Sequence, residues 1–283
     1  MTQTSYSDET LADFRRVQHL AYEAAAAVAA GLTPGVTERQ AAQRLGDTLE
    51  RQGVSSYFHQ PFAWFGPRAM FEGLRTPLDF FPTDTPLERG MGGILDVAPI
   101  LEGIAVDIGY TFGDSPQVLA QLRDLKQFRT LILEQVLAER SMREIYASVD
   151  VALRELGYVN CHRRYPFAVL AHKVDKVATV PFAQKTRLFG FGLPSGLPLL
   201  GRALAARMTG ERLGSAFWNG GAGAKRRPQA GLWAVEPHIG KDGVGAKWEE
   251  LLVITPSTAF WLDDDLPHVK SWSRPPGEQY AHA

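Results

Sequence analysis

The sequence predicts an α+β protein built from two related halves, each with two helices followed by antiparallel strands. The first observation is a repeat, because residues 37–53 and 141–157 share a pattern at a constant offset of 104 positions. The second observation is a β-hairpin that carries two carboxylates late in each half. A duplicated unit of this kind predicts a pseudo-twofold axis with a site at the junction of the halves.

The helices are predicted from their caps and from apolar residues at helical spacing. In the repeated helix a Ser or Thr cap is followed three residues later by Gln or Glu, and glycine ends the helix. We expect helices over Asp8 to Ala30, Thr37 to Gln52, Ser115 to Ala138 and Ser141 to Gly157. We expect strands over Tyr57 to Phe65 and Gly93 to Thr111, and a polar, irregular tail from Pro267 to Ala283.

The first hairpin carries Asp96 and Asp107. Apolar β-formers flank a Glu-Gly turn there, and the two aspartates are symmetric about a centre between Leu101 and Glu102. Folding at that centre predicts that Asp96 and Asp107 lie directly opposite one another, with side chains on one face about 5 Å apart.

The second hairpin carries Glu236 and Glu249. Asp242-Gly243 predicts a two-residue turn because both residues tolerate a positive φ. A turn centred there places Glu236 directly opposite Glu249.

Four carboxylates on buried sheet faces repel one another, and burial adds to the cost. A bound multivalent cation removes both problems, and oxygen-rich sites suit hard or borderline metals. The two hairpins together therefore indicate a metal site. Ordinary exposed acids on edge strands are the alternative interpretation of either pair alone.

Composition sets limits on location and partners. The net charge of −1 gives no general affinity for nucleic acid or for membranes. Cys161 is the single cysteine, so no intrachain disulfide forms, and we expect a reducing compartment and a structural role for this thiol. The polar, acidic N-terminus does not have the pattern of a signal peptide, so we expect a cytoplasmic protein.

These motifs resemble the pita-bread metallopeptidase family, which includes methionine aminopeptidase, prolidase, aminopeptidase P and creatinase. The matching segments are Asp96 to Thr111, a lone histidine, Val235-Glu236-Pro237 and Trp248 to Thr255. The resemblance implies a pita-bread fold, in which two pseudo-twofold-related α-α-β halves surround a curved antiparallel sheet. We expect one catalytic domain over residues 1–283, with residues 10–256 matching the family and 257–283 as an extension.

The resemblance also implies a set of metal ligands and one or two divalent ions (Mn, Fe, Co or Zn). The set is Asp96, Asp107, His172, Glu236 and Glu249, in which Asp107 and Glu249 take the bridging positions. His162 competes with His172 for the histidine position, and Glu250 takes the acidic position after Glu249.

The sequence departs from the family at two histidines that handle the substrate and the developing oxyanion in peptide hydrolysis. Leu78 and Asp79 stand where the first is usual, before Asp96, and Thr179 stands in the window of the second, after His172. Ordinary aminopeptidase activity is therefore in doubt, although the metal ligands are present.

Strand alternation places His238 on the same face as Glu236, so His238 could replace a missing histidine. An exposed turn histidine is the alternative. We expect Glu236 and His238 as catalytic groups, with Glu236 also able to act as a general base. Further candidates near the cleft are His59 and, as substrate-binding residues, Arg75, Tyr110 and Asp175.

Three functions compete at this stage. The favoured one is a non-peptidase hydrolase or lyase that cleaves a C–N or C–S bond of a small substrate, as creatinase and dimethylsulfoniopropionate lyase show for this fold. The second is an aminopeptidase or Xaa-Pro dipeptidase with displaced histidines, and the third is an inactive binding module. We expect a homodimer that takes a small molecule or short peptide and binds neither nucleic acid nor membranes.

Overall fold

The computed structural model describes residues 6–177, 187–188, 191–192 and 217–273. The α-helices are α1 (Asp8–Ala30), α2 (Glu38–Arg51), α3 (Pro116–Leu137), α4 (Met142–Glu155) and α5 (Pro267–Trp272). Short 3-10 helices span Gly66–Met70, Pro77–Phe80, His162–Arg164, Pro166–Ala168 and Ala222–Ala224. The four longer predicted helices are confirmed to within a residue or two at each end.

The strands are β1 (Ser56–Phe65), β2 (Gly93–Leu101), β3 (Ile104–Ala105), β4 (Ile108–Phe112), β5 (Val159–Asn160), β6 (Ala171–Val174), β7 (Arg187–Leu188), β8 (Phe191–Gly192), β9 (Phe217–Trp218), β10 (Gly231–Val235), β11 (His238–Lys241), β12 (Val244–Lys247), β13 (Glu250–Ile254) and β14 (Ala259–Trp261). All named pairings are antiparallel. Helices and antiparallel sheets in this proportion confirm the predicted α+β class.

The strands form three sheets in the described part of the chain. The first has the order β3-β2-β1-β8-β7, with β4 also paired to β2. The second has the order β14-β13-β10-β6-β9, and the third has the order β12-β11-β5. The element order α1-α2-strands followed by α3-α4-strands matches the repeat in the sequence.

The helix ends explain why the repeat was visible. Thr37 accepts a hydrogen bond from the Gln40 N–H while the Gln40 side chain accepts one from the Thr37 N–H. Ser141 and Glu144 form the same reciprocal pair at α4. Each box satisfies backbone donors that a helix start leaves without partners.

The pairing register of the first hairpin differs from the predicted register by two residues. Its turn is Glu102-Gly103, both at positive φ, and the register pairs Asp96 with Gly109 instead of with Asp107. Asp107 lies between β3 and β4. A shift of two residues keeps every side chain on its original face, so Asp96 and Asp107 still share one.

The second hairpin has the predicted turn. Asp242 and Gly243 have φ of 51° and 78°, as a type I′ turn requires. The register pairs His238 with Lys247, and β10 pairs Val235 with Glu250. Glu236 and Glu249 lie between these two pairs, in the same register.

Two large apolar cores lie among the described residues, and the first also takes in Leu232 and Leu251 from strands of the second half. One core packs α1 and α2 against β1, β2 and β4, with fully buried side chains that include Phe14, Leu45 and Leu95. The other packs α3 and α4 against β10 to β13, with Phe128, Leu153 and Trp233 buried. The carboxylate hairpins lie where the two cores adjoin.

The prediction of an irregular tail is wrong for residues 267–272. Residues 267–272 form α5, and the Trp272 indole N–H donates to the Leu122 carbonyl of α3 at 2.9 Å. Residues 274–283 lie outside the described residues. The apolar body of Trp272 explains the error, because burying it outweighs the polar character of its neighbours.

No helix in the described ranges combines the length and apolar character that crossing a bilayer requires.

Candidate metal centre

The expected ligands converge at the junction of the halves. Asp96 is on β2, Asp107 lies between β3 and β4, His172 is on β6, and Glu236 and Glu249 lie at the ends of β10 and β12. All five side chains are buried. Because they come from separate strands, only the assembled sheets bring them together.

His59 joins the aspartate pair of the first half. Its Nε2 lies 3.1 Å from Oδ1 of Asp107 and 3.3 Å from Oδ1 of Asp96. Register shifts on both sides of His59 mark a bulge in β1. The structure thus brings a histidine to the aspartates from a position upstream of the usual family one.

His172 lies between carboxylates of both halves. Its Nε2 is 3.2 Å from Oδ2 of Asp107 and 3.4 Å from Oε1 of Glu249. Glu249 Oε1 and His172 Nδ1 are buried without a hydrogen-bond partner among the described residues. Unpartnered buried polar atoms of this kind fit a cluster that can hold an ion.

Lys247 is the residue that sequence reasoning missed. Its Nζ lies 2.6 Å from Asp96 Oδ2, 2.9 Å from Glu236 Oε2 and 2.9 Å from Glu249 Oε2. The same ammonium donates to the Tyr165 hydroxyl at 2.9 Å. Strand alternation could have predicted its position. Residues two apart on a strand share a face, and Lys247 precedes Glu249 by two residues.

Burial and neighbouring charges set the pKa values of the first-half carboxyls in opposite directions. Burial raises the pKa of Asp96 to about 6, although Lys247 and His59 oppose the rise. Asp107 is equally buried, but the two histidines that contact it bring its pKa below the usual range.

The nitrogen bases of the cluster favour their charged forms. Burial lowers the pKa of His59, but Asp107 and Asp96 outweigh burial and raise it to about 9. Burial likewise opposes charge on His172 and Lys247, whose carboxylate neighbours raise both pKa values well above their ordinary values. Burial and Glu249 raise the pKa of Glu236 to about 8.

The competing histidine lies elsewhere. His162 is fully buried beside the Tyr146 ring, and its Nδ1 accepts a hydrogen bond from the His238 backbone N–H. Burial lowers the pKa of His162 to about 3. None of the described carboxylate contacts involves His162, so the geometry favours His172.

His238 is neither exposed nor directed at the carboxylates. Its Nε2 donates to the Ala69 carbonyl at 2.6 Å, and its ring packs against Phe71 and Tyr165. Burial lowers the pKa of this histidine well below its ordinary value. The physical reason is that β11 turns away from β10 to pair with β5, which carries His238 toward the 66–70 segment.

The three expected substrate-binding residues are spread apart. Arg75 is exposed on the loop before Asp79, whose carboxylate accepts its backbone N–H. Tyr110 is buried against Tyr22. Asp175 is exposed, and its carboxylate accepts the Lys176 N–H. The structure does not bring these three side chains together.

Two hydroxyl groups join the halves at the centre. The Tyr22 hydroxyl donates to the Glu249 carbonyl at 2.7 Å and accepts the Glu249 N–H at 3.1 Å. Thr111 Oγ1 donates to the Lys247 carbonyl and accepts the Lys247 N–H, each at 2.8 Å. These bonds fix the backbone that presents Lys247 and Glu249.

Glu250 faces the other way, as alternation requires. Its carboxylate binds Arg129 Nε at 3.0 Å and His268 Nε2 at 2.8 Å. The residue is fully buried. It therefore anchors α3 and α5 to β13 and does not face the carboxylate cluster.

The donors fit a divalent cation. Two overlapping groups of potential ligands exist among the described residues, with ligand atoms within 4.8 Å of one another in each. One is His59, Asp96 and Asp107, and the other is Asp107, His172 and Glu249. Carboxylate oxygens with one or two imidazoles suit Mn, Fe, Co or Zn.

The sequence matches the model of metallopeptidase family M24 over residues 12–256. No curated protein sequence matches the chain significantly.

Several solved structures have folds similar to that of this chain. Prolidase from Thermococcus sibiricus is 14% identical with a TM-score of 0.61, and the match covers 92% of this chain and 60% of that one. X-Pro aminopeptidase from Thermotoga maritima is 13% identical, with a TM-score of 0.59 and coverage of 92% and 62%. Aminopeptidase P from E. coli is 17% identical, with a TM-score of 0.60 and coverage of 98% and 58%.

These likenesses confirm the predicted pita-bread fold. The chain spans about three fifths of the length of the three solved structures.

Proposed function

Because the chain belongs to metallopeptidase family M24, we propose that it is a metal-dependent hydrolase that cleaves a C–N bond of a small substrate without a free α-amino group. A divalent ion held by the cluster would activate water as a nucleophile at neutral pH and polarise the bond under attack. The two hairpins bring the four carboxylates together, and β1 and β6 add the two histidines.

The observation that carries the substrate class is the buried ammonium of Lys247. It contacts three of the four carboxylates, which are the groups that would otherwise attract a cationic α-amine. Two positive charges 4 Å apart repel by about 4 kcal/mol at an effective dielectric constant of 20. That repulsion corresponds to about a 1000-fold loss of affinity for a substrate with a charged amino terminus.

The chain's own residues provide proton-handling groups beside the cluster. Glu236 is held by Lys247 through one oxygen, and its raised pKa keeps it near the range in which a carboxylate can accept and return a proton. The Tyr165 hydroxyl, held by the same ammonium, is a donor that can orient a polar substrate group.

Aromatic side chains limit the size of the substrate. Tyr165 packs edge to face on Phe71 and stacks on Phe80, next to the buried rings of Phe62 and Trp64. This aromatic wall adjoins the cluster at Lys247, whose ammonium donates to the Tyr165 hydroxyl and lies 5.0 Å from the centre of its ring. A small substrate fits such a wall better than an extended peptide.

The second candidate is an aminopeptidase or Xaa-Pro dipeptidase. The observation in its favour is His59, which brings a histidine to Asp96 and Asp107 although the usual family position holds none. The window of the second missing histidine includes Thr179, which lies outside the described residues.

The test offers each candidate substrate to the Mn²⁺-loaded protein as a matched pair, with the amino group free and with it acetylated. We expect small amides and amidines to turn over only when no free α-amine is present. Xaa-Pro dipeptides and N-terminal Met peptides should show little turnover. Cleavage of the free-amine peptides with kcat/KM above about 10⁴ M⁻¹s⁻¹, as for an ordinary enzyme, would instead support the peptidase.

A Lys247→Met variant sharpens the same assay. With Mn²⁺ limited to one equivalent per chain, no second ion replaces the ammonium. Its removal then removes the repulsion, so the ratio of free-amine to acetylated turnover should rise. Lys241→Met is the matched control, because Lys241 is exposed on the same hairpin. An unchanged ratio in Lys247→Met would refute the charge argument.

A further inference from the structure

The cations of the cluster are not distributed evenly over its carboxylate oxygens. Lys247 takes one oxygen each of Asp96, Glu236 and Glu249, while the second oxygens of Asp96 and Glu249 face His59 and His172. Asp107 has no contact with Lys247 among the described ion pairs and faces the two histidines. The cluster therefore has an ammonium side and an imidazole side.

The lysine is built into its position. Its side chain is 1% exposed, and Thr111 holds both its backbone N–H and its carbonyl. An ammonium that is buried this deeply cannot reach water without leaving its partners, and a buried charge without partners costs several kcal/mol. Among the described residues, these three carboxylates are its charge partners.

Gly109 provides the path for the lysine stem. A Cβ at Gly109, which pairs with Asp96 across the hairpin, would lie 2.9 Å from Lys247 Cδ and 3.1 Å from Cγ, and closer still to Cε. Real Cβ atoms essentially never make contacts shorter than 3.0 Å, so the contacts to Cδ and Cε would force the lysine stem to move. The absence of a side chain at Gly109 is therefore matched to the presence of the lysine stem.

The imidazole side keeps the features of an ion site. Glu249 Oε1, Asp107 Oδ2 and His172 Nε2 converge, and Glu249 Oε1 has no hydrogen-bond donor among the described residues. A histidine can lose its proton and bind a metal through the freed lone pair, whereas an ammonium has no lone pair to offer.

We propose that the protein binds a single divalent ion through Asp107, His172 and Glu249, and that the ammonium of Lys247 takes the place of a second ion. The ammonium neutralises Asp96 and Glu236 as a permanent cation of the fold. The inference depends on metal binding alone and is independent of which substrate is cleaved.

The primary test measures metal stoichiometry. Chelator-treated protein is titrated with Mn²⁺, and bound metal is counted by elemental analysis after removal of free ion. We expect one equivalent per chain for the natural protein and two for Lys247→Met. Lys241→Met, with its exposed side chain on the same hairpin, should keep one. Two equivalents in the natural protein, or one in a folded Lys247→Met, would overturn the proposal.

A second measurement does not depend on whether Lys247→Met folds. Two ions in a shared site lie about 3.5–4 Å apart, close enough for exchange coupling between Mn²⁺ ions. We expect the electron paramagnetic resonance spectrum of the natural protein with excess Mn²⁺ to show isolated ions only. A spectrum of a coupled pair would overturn the proposal.

A third variant separates the two sides of the cluster. Asp96→Asn should still bind one equivalent of Mn²⁺, because Asp96 is a partner of the lysine under this proposal. His172→Ala should bind none. Loss of the ion from a folded Asp96→Asn would show that Asp96 is an essential ligand and would contradict the proposal. Peptidase activity in the substrate assay would not affect any of these counts.

Discussion

The two carboxylate hairpins use the same design with different charge partners. The pair Asp96 and Asp107 is bridged by His59 from β1, whereas the pair Glu236 and Glu249 is bridged by Lys247 from within its own hairpin. A deprotonated imidazole can bind a metal ion through its free lone pair, whereas an ammonium has no lone pair to offer. The halves repeat in fold and differ in how their acids are neutralised.

This difference shows that duplication of a fold does not duplicate its chemistry. The strands repeat because the capped helices and apolar spacing repeat. Each charged partner depends on one residue, placed by a bulge in the first half and by alternation in the second. The following changes test how far the halves are equivalent.

The largest effect is expected at Asp107, which contacts both histidines. At a free Mn²⁺ concentration of 100 times Kd, a bound ion stabilises the natural protein by about 2.7 kcal/mol. Asp107→Ala should lose this gain entirely, as thermal unfolding with and without Mn²⁺ would show. Asp114→Ala, an exposed acid just after β4, should keep it. Equal stabilisation in both variants would remove Asp107 from the ligand set.

The next prediction compares the loss of bound metal on replacing each of two buried histidines. His172→Ala should lose most bound metal, because its Nε2 faces Asp107 and Glu249. His162→Ala should retain it, because His162 faces Tyr146 and the His238 backbone. Metal analysis of both purified variants decides the question, and the reverse result would move the ligand assignment to His162.

A smaller loss in the free energy of unfolding is expected when the hydrogen bonds between the halves are removed. Tyr22→Phe removes the hydroxyl that bonds both backbone groups of Glu249, and leaving a buried group unsatisfied costs about 1–3 kcal/mol. Tyr158→Phe should cost less, because the Asp124 carboxylate it contacts is partly exposed and water can replace the bond. Urea unfolding measures both, and a larger cost at Tyr158 would argue against a structural junction at Tyr22.

The smallest expected loss of stability comes from removing either of the two repeated helix caps. Thr37→Ala and Ser141→Ala each remove a side-chain oxygen that accepts a backbone N–H at 3.2 Å. Loss of such a cap typically costs about 1 kcal/mol. We expect the two costs to agree within experimental error in chemical denaturation, and a clear inequality would show that the halves depend differently on their second helices.

The sequence predicted the parts of the fold that local chemistry determines. The caps Thr37 and Ser141 set the starts of their helices, and Asp242-Gly243 set one turn. The Glu-Gly turn was predicted, but its centre was placed one residue too early because Glu102 adopts a positive φ of 54°, which is uncommon for a residue other than glycine, asparagine or aspartate. The resulting error in the pairing register was two residues, so Asp96 and Asp107 kept their shared face.

The parts of the site that escaped prediction depend on contacts between distant segments. His59 was expected near the cleft, but its position between the two aspartates depends on a bulge that no local pattern in the sequence marks. Strand alternation gives His238 the same face as Glu236. However, β11 leads away from the cluster, and the His238 side chain donates to the Ala69 carbonyl. Lys247 was accessible to the same alternation argument as Glu249, but a lysine between apolar residues resembles an ordinary solvent-facing position.

The bonds from Tyr22 and Thr111 to residues 247–249 have a consequence for the order of folding. Lys247 and Asp96 are 151 positions apart in the chain, and Tyr22 and Glu249 are 227 apart. Contacts of such long range carry a high entropy of loop closure and tend to form late. The centre therefore exists only when both halves are complete, and a bound ion is expected to slow unfolding while leaving the folding rate almost unchanged.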